Sequence, residues 1–270
     1  MVNVRIAYIN LKSRPERRDA FLANNRAELD ASAFPWTRVD GIDGRELADS
    51  TAEELVARGI IARDGLPEGY QPHTWGHLGA ALSHRSLWEQ AARAGDDDVL
   101  VILEDDAQVC PQFAAQLRRV LDLAKNRAPW DIVHLGFNTD APLTIHLDCP
   151  RLEVQLICQD NGGPIGMGVA FAVSWPEKPH EGEMLLARVI DIHGICGYAV
   201  SAHGARHLLA ACFPMTATSI DGTISRKTRE GLVKALIVIP PLVLSPNDHA
   251  DSDTVSSSSS RYNELIQVER

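Results

Sequence analysis

Residues 99–103 read Val-Leu-Val-Ile-Leu and run directly into Glu104, Asp105 and Asp106. Five successive aliphatic side chains leave no polar face, so this strand must be covered on both sides, as in the middle of a parallel sheet. The acids mark where it leaves the core. Residues 2–11 (VNVRIAYINL) read as a first strand, and Ser13, Pro15 and Glu16 as a capping box opening a helix over 14–29. A second strand is expected at 34–39, followed by two Asp-Gly turns at 40–44. A short helix is expected at 51–58, with Thr51 and Glu54 as its capping pair, and then a Gly/Pro-rich loop at 65–76. Further helices are expected at 78–94, 111–125 and 202–211, and strands at 130–137, 152–158, 169–173 and 196–201, with a glycine-rich loop at 161–168. The apolar run 236–244 carries Pro240 and Pro241, which cannot donate to a ladder, and is expected at a sheet edge.

Strands alternating with helices predict an α/β fold with a mostly parallel central sheet flanked by helices, less regular towards the C-terminus. Residues 1–250 read as one domain, and 251–270, with five consecutive serines, as a low-complexity, disordered tail. An apolar fraction of 45% suffices for a large core. The balance of 26 basic to 36 acidic residues, a net charge of −10, argues against nucleic acid or an anionic membrane as the main partner, since polyanions demand a basic face. Five scattered cysteines without a C-x-x-C pair suggest neither a zinc ribbon nor a disulfide framework. The longest apolar stretch, 235–244, is half the roughly twenty residues of a membrane span. A soluble, reduced, cytoplasmic protein is expected, at most peripheral to the membrane.

The acidic triplet carries the chemistry. In open α/β sheets ligands bind beyond the carboxyl ends of the strands, and clustered carboxylates are costly there unless a cation neutralises them. Oxygen ligands suit Mg²⁺ or Mn²⁺, and the acid-x-acid spacing of Glu104 and Asp106 lets both point one way. The plainer alternative is a solvated turn. Lys12, Arg14, Arg17 and Arg18 gather at the first strand-to-helix junction, where helix N–H groups and guanidinium groups can hold a phosphate, although Arg17 and Arg18 equally fit a solvated helix face. Asp221 and the acids from Asp248 to Asp253 are late carboxylates suited to a general base or a metal ligand, or to a solvated loop. No P-loop, nucleophile elbow, H-E-x-x-H or G-x-G-x-x-G pattern occurs.

Five ordered pieces together resemble glycosyltransferase family 25, the lipooligosaccharide and collagen galactosyltransferases. They are Ile9-Asn10-Leu11 with 14–18 (RPERR), Val39-Asp40-Gly41 through Gly44, 79–84 (GAALSH), 103–107 (LEDDA), and 197–201 (GYAVS) with Gly204-Ala205. The resemblance implies a GT-A-like fold and inverting transfer of a sugar, most often galactose from UDP-galactose, to a hydroxyl on a glycan, lipooligosaccharide, protein or small molecule. It implies a nucleotide-sugar half over 1–137 and an acceptor-side half over 138–250. By matching motif, Glu104 and Asp106 would hold Mn²⁺ or Mg²⁺. Asn10, Arg14, Arg18, Asp40 and Asp105 would line the nucleotide side, and Ser83 and His84 would sit near the donor sugar or diphosphate. Asp221 is the first choice for the base and Asp248 the second, although Ser219 replaces the proline of the family's Pro-x-Asp element. Two other readings of the same residues are a metal-dependent nucleotide-sugar phosphohydrolase and a non-catalytic nucleotide-binding member.

Overall fold

A computed structural model describes residues 3–63, 74–127, 129–137, 143–147, 152–156, 184–192 and 194–245. The chain runs β1 (Asn3–Asn10), α1 (Pro15–Ala31), β2 (Trp36–Asp40), a 3₁₀ turn (Gly44–Leu47), α2 (Ala52–Ala57), α3 (Trp75–Ala92), β3 (Asp98–Glu104), β4 (Gln108–Val109) and α4 (Phe113–Lys125). It continues through β5 (Ile132–His134), β6 (Leu143–Leu147), β7 (Leu152–Leu156), β8 (Leu185–Asp191), β9 (Gly197–Ser201), α5 (Ala202–Cys212), α6 (Ile220–Arg229), β10 (Ala235–Ile239) and β11 (Val243–Leu244).

Nine strands form one sheet in the order β2-β1-β3-β9-β5-β10-β8-β6-β7, and β4 pairs with β11 beside it. β1 is parallel to β2 and β3, and β5 to β10. β9 lies antiparallel between β3 and β5, so those neighbours point the same way. Five of the first seven strands in the order therefore share a direction, which makes the sheet mixed but mostly co-directional, in agreement with the GT-A-like α/β arrangement.

The aliphatic run of β3 divides between two cores, as a strand covered on both faces must. Leu100 and Ile102 pack with Leu78, Leu87 and Trp88 of α3 and Leu208 of α5. Val99, Val101 and Leu103 face the other way, with Phe21 and Leu29 of α1 and Phe113, Leu117 and Val120 of α4.

Several details differ from the sequence reading. Ser13 does not cap α1: Arg14 occupies the N-cap without a side-chain cap bond, because Pro15 starts the helix one residue too late for Glu16 to reach the third position, and Glu16 bonds Arg14 instead. At α2 the Thr51–Glu54 capping box forms as expected. α3 begins at Trp75 because Thr74 caps it. The run 236–244 is not an edge strand. Its first part, β10, is buried between β5 and β8, and Pro240 and Pro241 fall just after it, ending the strand before β11 turns back to β4. β6, β8 and α6 were not anticipated. The loop at 161–168, the strand at 169–173, Asp248 and the tail at 251–270 lie outside the described residues. Among the described residues, no helix is long and apolar enough to cross a membrane.

Candidate functional site

The ends of β2, β1 and β3 lie side by side: Asp40 is opposite Asn10, and Ile9 is opposite Glu104. The residues that follow these strands open into a cavity of about 400 Å³. Its floor is Ile9, Asn10 and the triplet Glu104, Asp105 and Asp106; its walls are the 41–45 turn, Arg17 of α1, and Trp75, Ser83 and His84 of α3.

The three acids have different surroundings. Asp105 is neutralised: Asn10 Nδ2 donates to its Oδ2 at 2.8 Å, and Arg17 pairs with its Oδ1. Asp106 is less so. Its Oδ2 accepts from Ser245 Oγ at 2.9 Å and stands 3.9 Å from Arg17, but its buried Oδ1 has no hydrogen-bond partner among the described residues. Burial, and after it the Glu104 charge, push the Asp106 carboxyl up to about 6, against the opposing pull of Arg17 and the Ser245 bond. An orphaned carboxylate oxygen beside a second carboxylate could hold a cation, and two hard oxygen donors would suit Mg²⁺ or Mn²⁺.

Glu104 is oriented by a buried relay. Trp88 Nε1 donates to Tyr198 Oη at 2.8 Å, and Tyr198 Oη lies 2.8 Å from His84 Nδ1. With the tyrosine oxygen already accepting, its proton is directed to His84 Nδ1. That pattern assigns the imidazole proton to Nε2, which faces Glu104 Oε1 at 3.2 Å.

Asn10 is buried and fully used, since Arg38 Nε donates to its Oδ1 at 2.9 Å. Ser83 is structural in its contacts: it accepts from the Ile42 N–H at 2.8 Å and donates to the Gly79 carbonyl at 2.7 Å, tying the 41–45 turn to α3. Arg14 bonds Glu16, and Arg18 pairs with Asp19 on the outer face of α1, so Arg17 is the basic residue of that junction that lines the cavity. Asp40 is held by Lys12 at 3.1 Å and Arg38 at 2.7 Å, which keep its carboxyl below the usual range. Asp221, in the first turn of α6, accepts from the Gly194 N–H at 3.1 Å, and its charge acts on His77 of α3 against the burial that lowers that imidazole.

Residues 4–224 match the family described as Glycosyltransferase family 25 (LPS biosynthesis protein). The chain belongs to glycosyltransferase family 25. It is similar to a "Glycosyltransferase 25 family member" of Aedes aegypti, 35% identical over 134 residues, and to one of Drosophila melanogaster, 35% identical over 135. It is also 34% identical over 131 residues to the "Inactive glycosyltransferase 25 family member 3" of Mus musculus. These matches take in 48%, 49% and 47% of this chain but only 21% of each relative, so the chain spans about a fifth of their length.

The motif pieces of a family 25 chain acquire physical reasons here. A Cβ on Gly44 would stand 1.6 Å from the Trp75 carbonyl oxygen, and one on Gly79 would stand 2.5 Å from that of Ile42. Only glycines let the turn and α3 approach closely enough to form one wall. Tyr198, which sequence reading placed in a strand without a role, and Trp88, which it did not single out, prove to support His84. A buried tyrosine on the strand beside β3 was the available signal. Arg38 was missed because it sits in a half-exposed strand, with nothing local to mark it.

Proposed function

We propose that the chain transfers a sugar, galactose from UDP-galactose in the first instance, from a nucleotide-sugar donor to a hydroxyl acceptor with inversion. The observation that carries the reading is the orphaned, buried Asp106 Oδ1 beside Glu104 at the mouth of the sheet. Glu104 and Asp106 would hold Mn²⁺ or Mg²⁺, which when bound neutralises the donor diphosphate and makes it a better leaving group. Asp105, held by Asn10 and Arg17, is suited to hydrogen-bond the donor ribose, and the Arg17 charge beside it favours a phosphate close by. The family resemblance adds Asn10, Arg14, Arg18, Asp40, Ser83 and His84 to the donor side within 1–137; Asn10, Ser83 and His84 line the cavity, whereas Arg14, Arg18 and Asp40 lie outside its lining and would have to turn inward to meet a donor. The acceptor lies over 138–250, where a carboxylate takes the proton of the attacking hydroxyl, Asp221 first and Asp248 second. The acceptor belongs to a glycan, lipooligosaccharide, protein or small molecule, reached from the cytoplasm.

The test is a nucleotide-sugar screen by thermal shift with and without Mn²⁺, followed by nucleotide-release assays. UDP-galactose is expected to raise the melting temperature only with the metal, and Glu104→Gln and Asp106→Asn to abolish the shift. Release that needs an acceptor and yields a β-linked product supports transfer. Release at full rate without acceptor assigns the site to phosphohydrolysis, and stabilisation without turnover to a non-catalytic member. If no nucleotide sugar stabilises the protein under either condition, the reading fails.

A further inference from the structure

At the opposite ends of the strands from the acidic triplet, Asp131 meets His203 and His207. Asp131 immediately precedes β5, and the two histidines lie one turn apart on α5, which follows β9. β9 runs against β3 and β5, so its end, and with it the start of α5, lies at the edge where β3 and β5 begin. One ligand atom from each residue falls within 4.8 Å of the others.

The carboxylate is prepared for a ligand. Asp131 is 1% exposed, and its Oδ2 accepts the Lys234 backbone N–H at 2.8 Å, which fixes the group at the start of β5. Its Oδ1 is buried and accepts no hydrogen bond among the described residues. His207 Nδ1 lies 3.1 Å from that oxygen and His203 Nε2 3.9 Å, yet neither ring N–H is aligned to donate to it. Nitrogen and oxygen atoms at this spacing can share a cation as well as pair with one another. Around a tetrahedral ion with bonds of about 2.0–2.1 Å, ligand atoms stand about 3.3 Å apart.

The helix that carries the histidines is anchored at the same place. Ser201 caps α5 by accepting the Gly204 N–H at 3.0 Å. Gly204 lets the first turn sit on the Asp131 backbone, since a Cβ there would stand 1.9 Å from the Asp131 carbonyl oxygen. The rings of His203 and His207 lie with centroids 4.1 Å apart, half exposed, so the remaining coordination positions open to water.

We infer that Asp131, His203 and His207 form a three-ligand site for a Zn²⁺-class divalent ion, separate from the donor cleft and tying α5 to the start of β5. Two imidazoles and one carboxylate select Zn²⁺ and its neighbours over Mg²⁺ or Mn²⁺. The Lys234 N–H on Asp131 Oδ2 orients the carboxylate ligand from behind.

The test uses the full chain, stripped with chelator and titrated with Co²⁺ alone, followed by visible absorption and then displaced by Zn²⁺. One Co²⁺ per chain with ligand-field bands is expected, together with a rise in melting temperature on adding Zn²⁺. His203→Gln and His207→Gln, both at half-exposed positions, are expected to weaken binding at least about tenfold and remove the thermal shift while leaving circular dichroism unchanged. Glu104→Gln with Asp106→Asn is expected to leave the Co²⁺ spectrum as it was. Absence of ligand-field bands in the unaltered chain, their persistence in both histidine variants, or their loss in the cleft variant instead would each overturn the inference.

Discussion

Tyr198 shows how one hydroxyl can govern a distant carboxylate. It is fully buried and satisfies Trp88 and His84 together, and His84 in turn faces Glu104. Tyr198→Phe removes the oxygen and leaves two buried nitrogen groups unpaired, a cost of about 1–3 kcal/mol in urea unfolding. His84 is then free to turn, so the metal requirement for donor binding should rise by about 10- to 100-fold while saturating turnover falls less. Equal metal dependence in the variant and the parent chain would detach the relay from the site. A second buried histidine tests the fold alone. Burial pushes the His134 imidazole down to about 4. The unfolded chain therefore takes up a proton near pH 6.5 that the folded chain refuses until about pH 4, so this contribution is fully present above 6.5 and is lost as pH falls through that window. The loss is on the order of 3 kcal/mol at its acid end. Chemical denaturation at pH 7 and pH 4.5 should show a smaller drop in His134→Leu than in the parent chain.

At the scale of elements, the cleft depends on a turn and a helix that nearly touch. Adding a methyl group at Gly79 drives α3 against the Ile42 carbonyl and the Gly44 N–H, so that the helix and the turn joined by the Ser83–Ile42 bond must move apart. Gly79→Ala should cost about 1–3 kcal/mol and weaken donor binding with it. Gly95→Ala, where the nearest atom is 3.6 Å away, serves as the neutral control. If both variants unfold alike, the close approach is not what shapes the wall. This contact also marks how far sequence carries. β3 was legible because an unbroken aliphatic run ending in acids has one sensible place in an α/β sheet. That Glu104 and Asp106 leave the core where the cavity opens was legible from the same run. β10 was misplaced because the prolines were read as part of the strand instead of as its end. α6 escaped notice because Ile220–Arg229 is mostly polar, with Gly222 near its start, and its buried residues are chiefly Thr and Ser beside two isoleucines. The His203–His207 pair stood four residues apart on a helix that was expected, a readable signal. Its partner Asp131 was not readable, since only the antiparallel path of β9 brings the segments together.

For the whole molecule, the net charge of −10 raises the question of how the proposed anionic donor would be held. Exposed cations near the cleft are already committed: Lys12 to Asp40 and Arg18 to Asp19. Long-range attraction to a diphosphate is therefore weak, and the proposed reading leaves contact-range neutralisation by the metal at Glu104 and Asp106 as the main source of donor affinity. Charges in contact and partly buried are screened far less than exposed charges a Debye length apart. With Mn²⁺ present, the dissociation constant for UDP-galactose should change less than about threefold between roughly 50 and 300 mM salt, whereas a basic surface contacting several phosphates would lose tenfold or more. Without the metal, the acids repel the donor and binding should be at least about tenfold weaker at either salt concentration. Calorimetric titrations under these four conditions separate the two cases. A steep salt dependence that Arg18→Ala removes would transfer the donor's recognition from the acidic triplet to the basic face of α1.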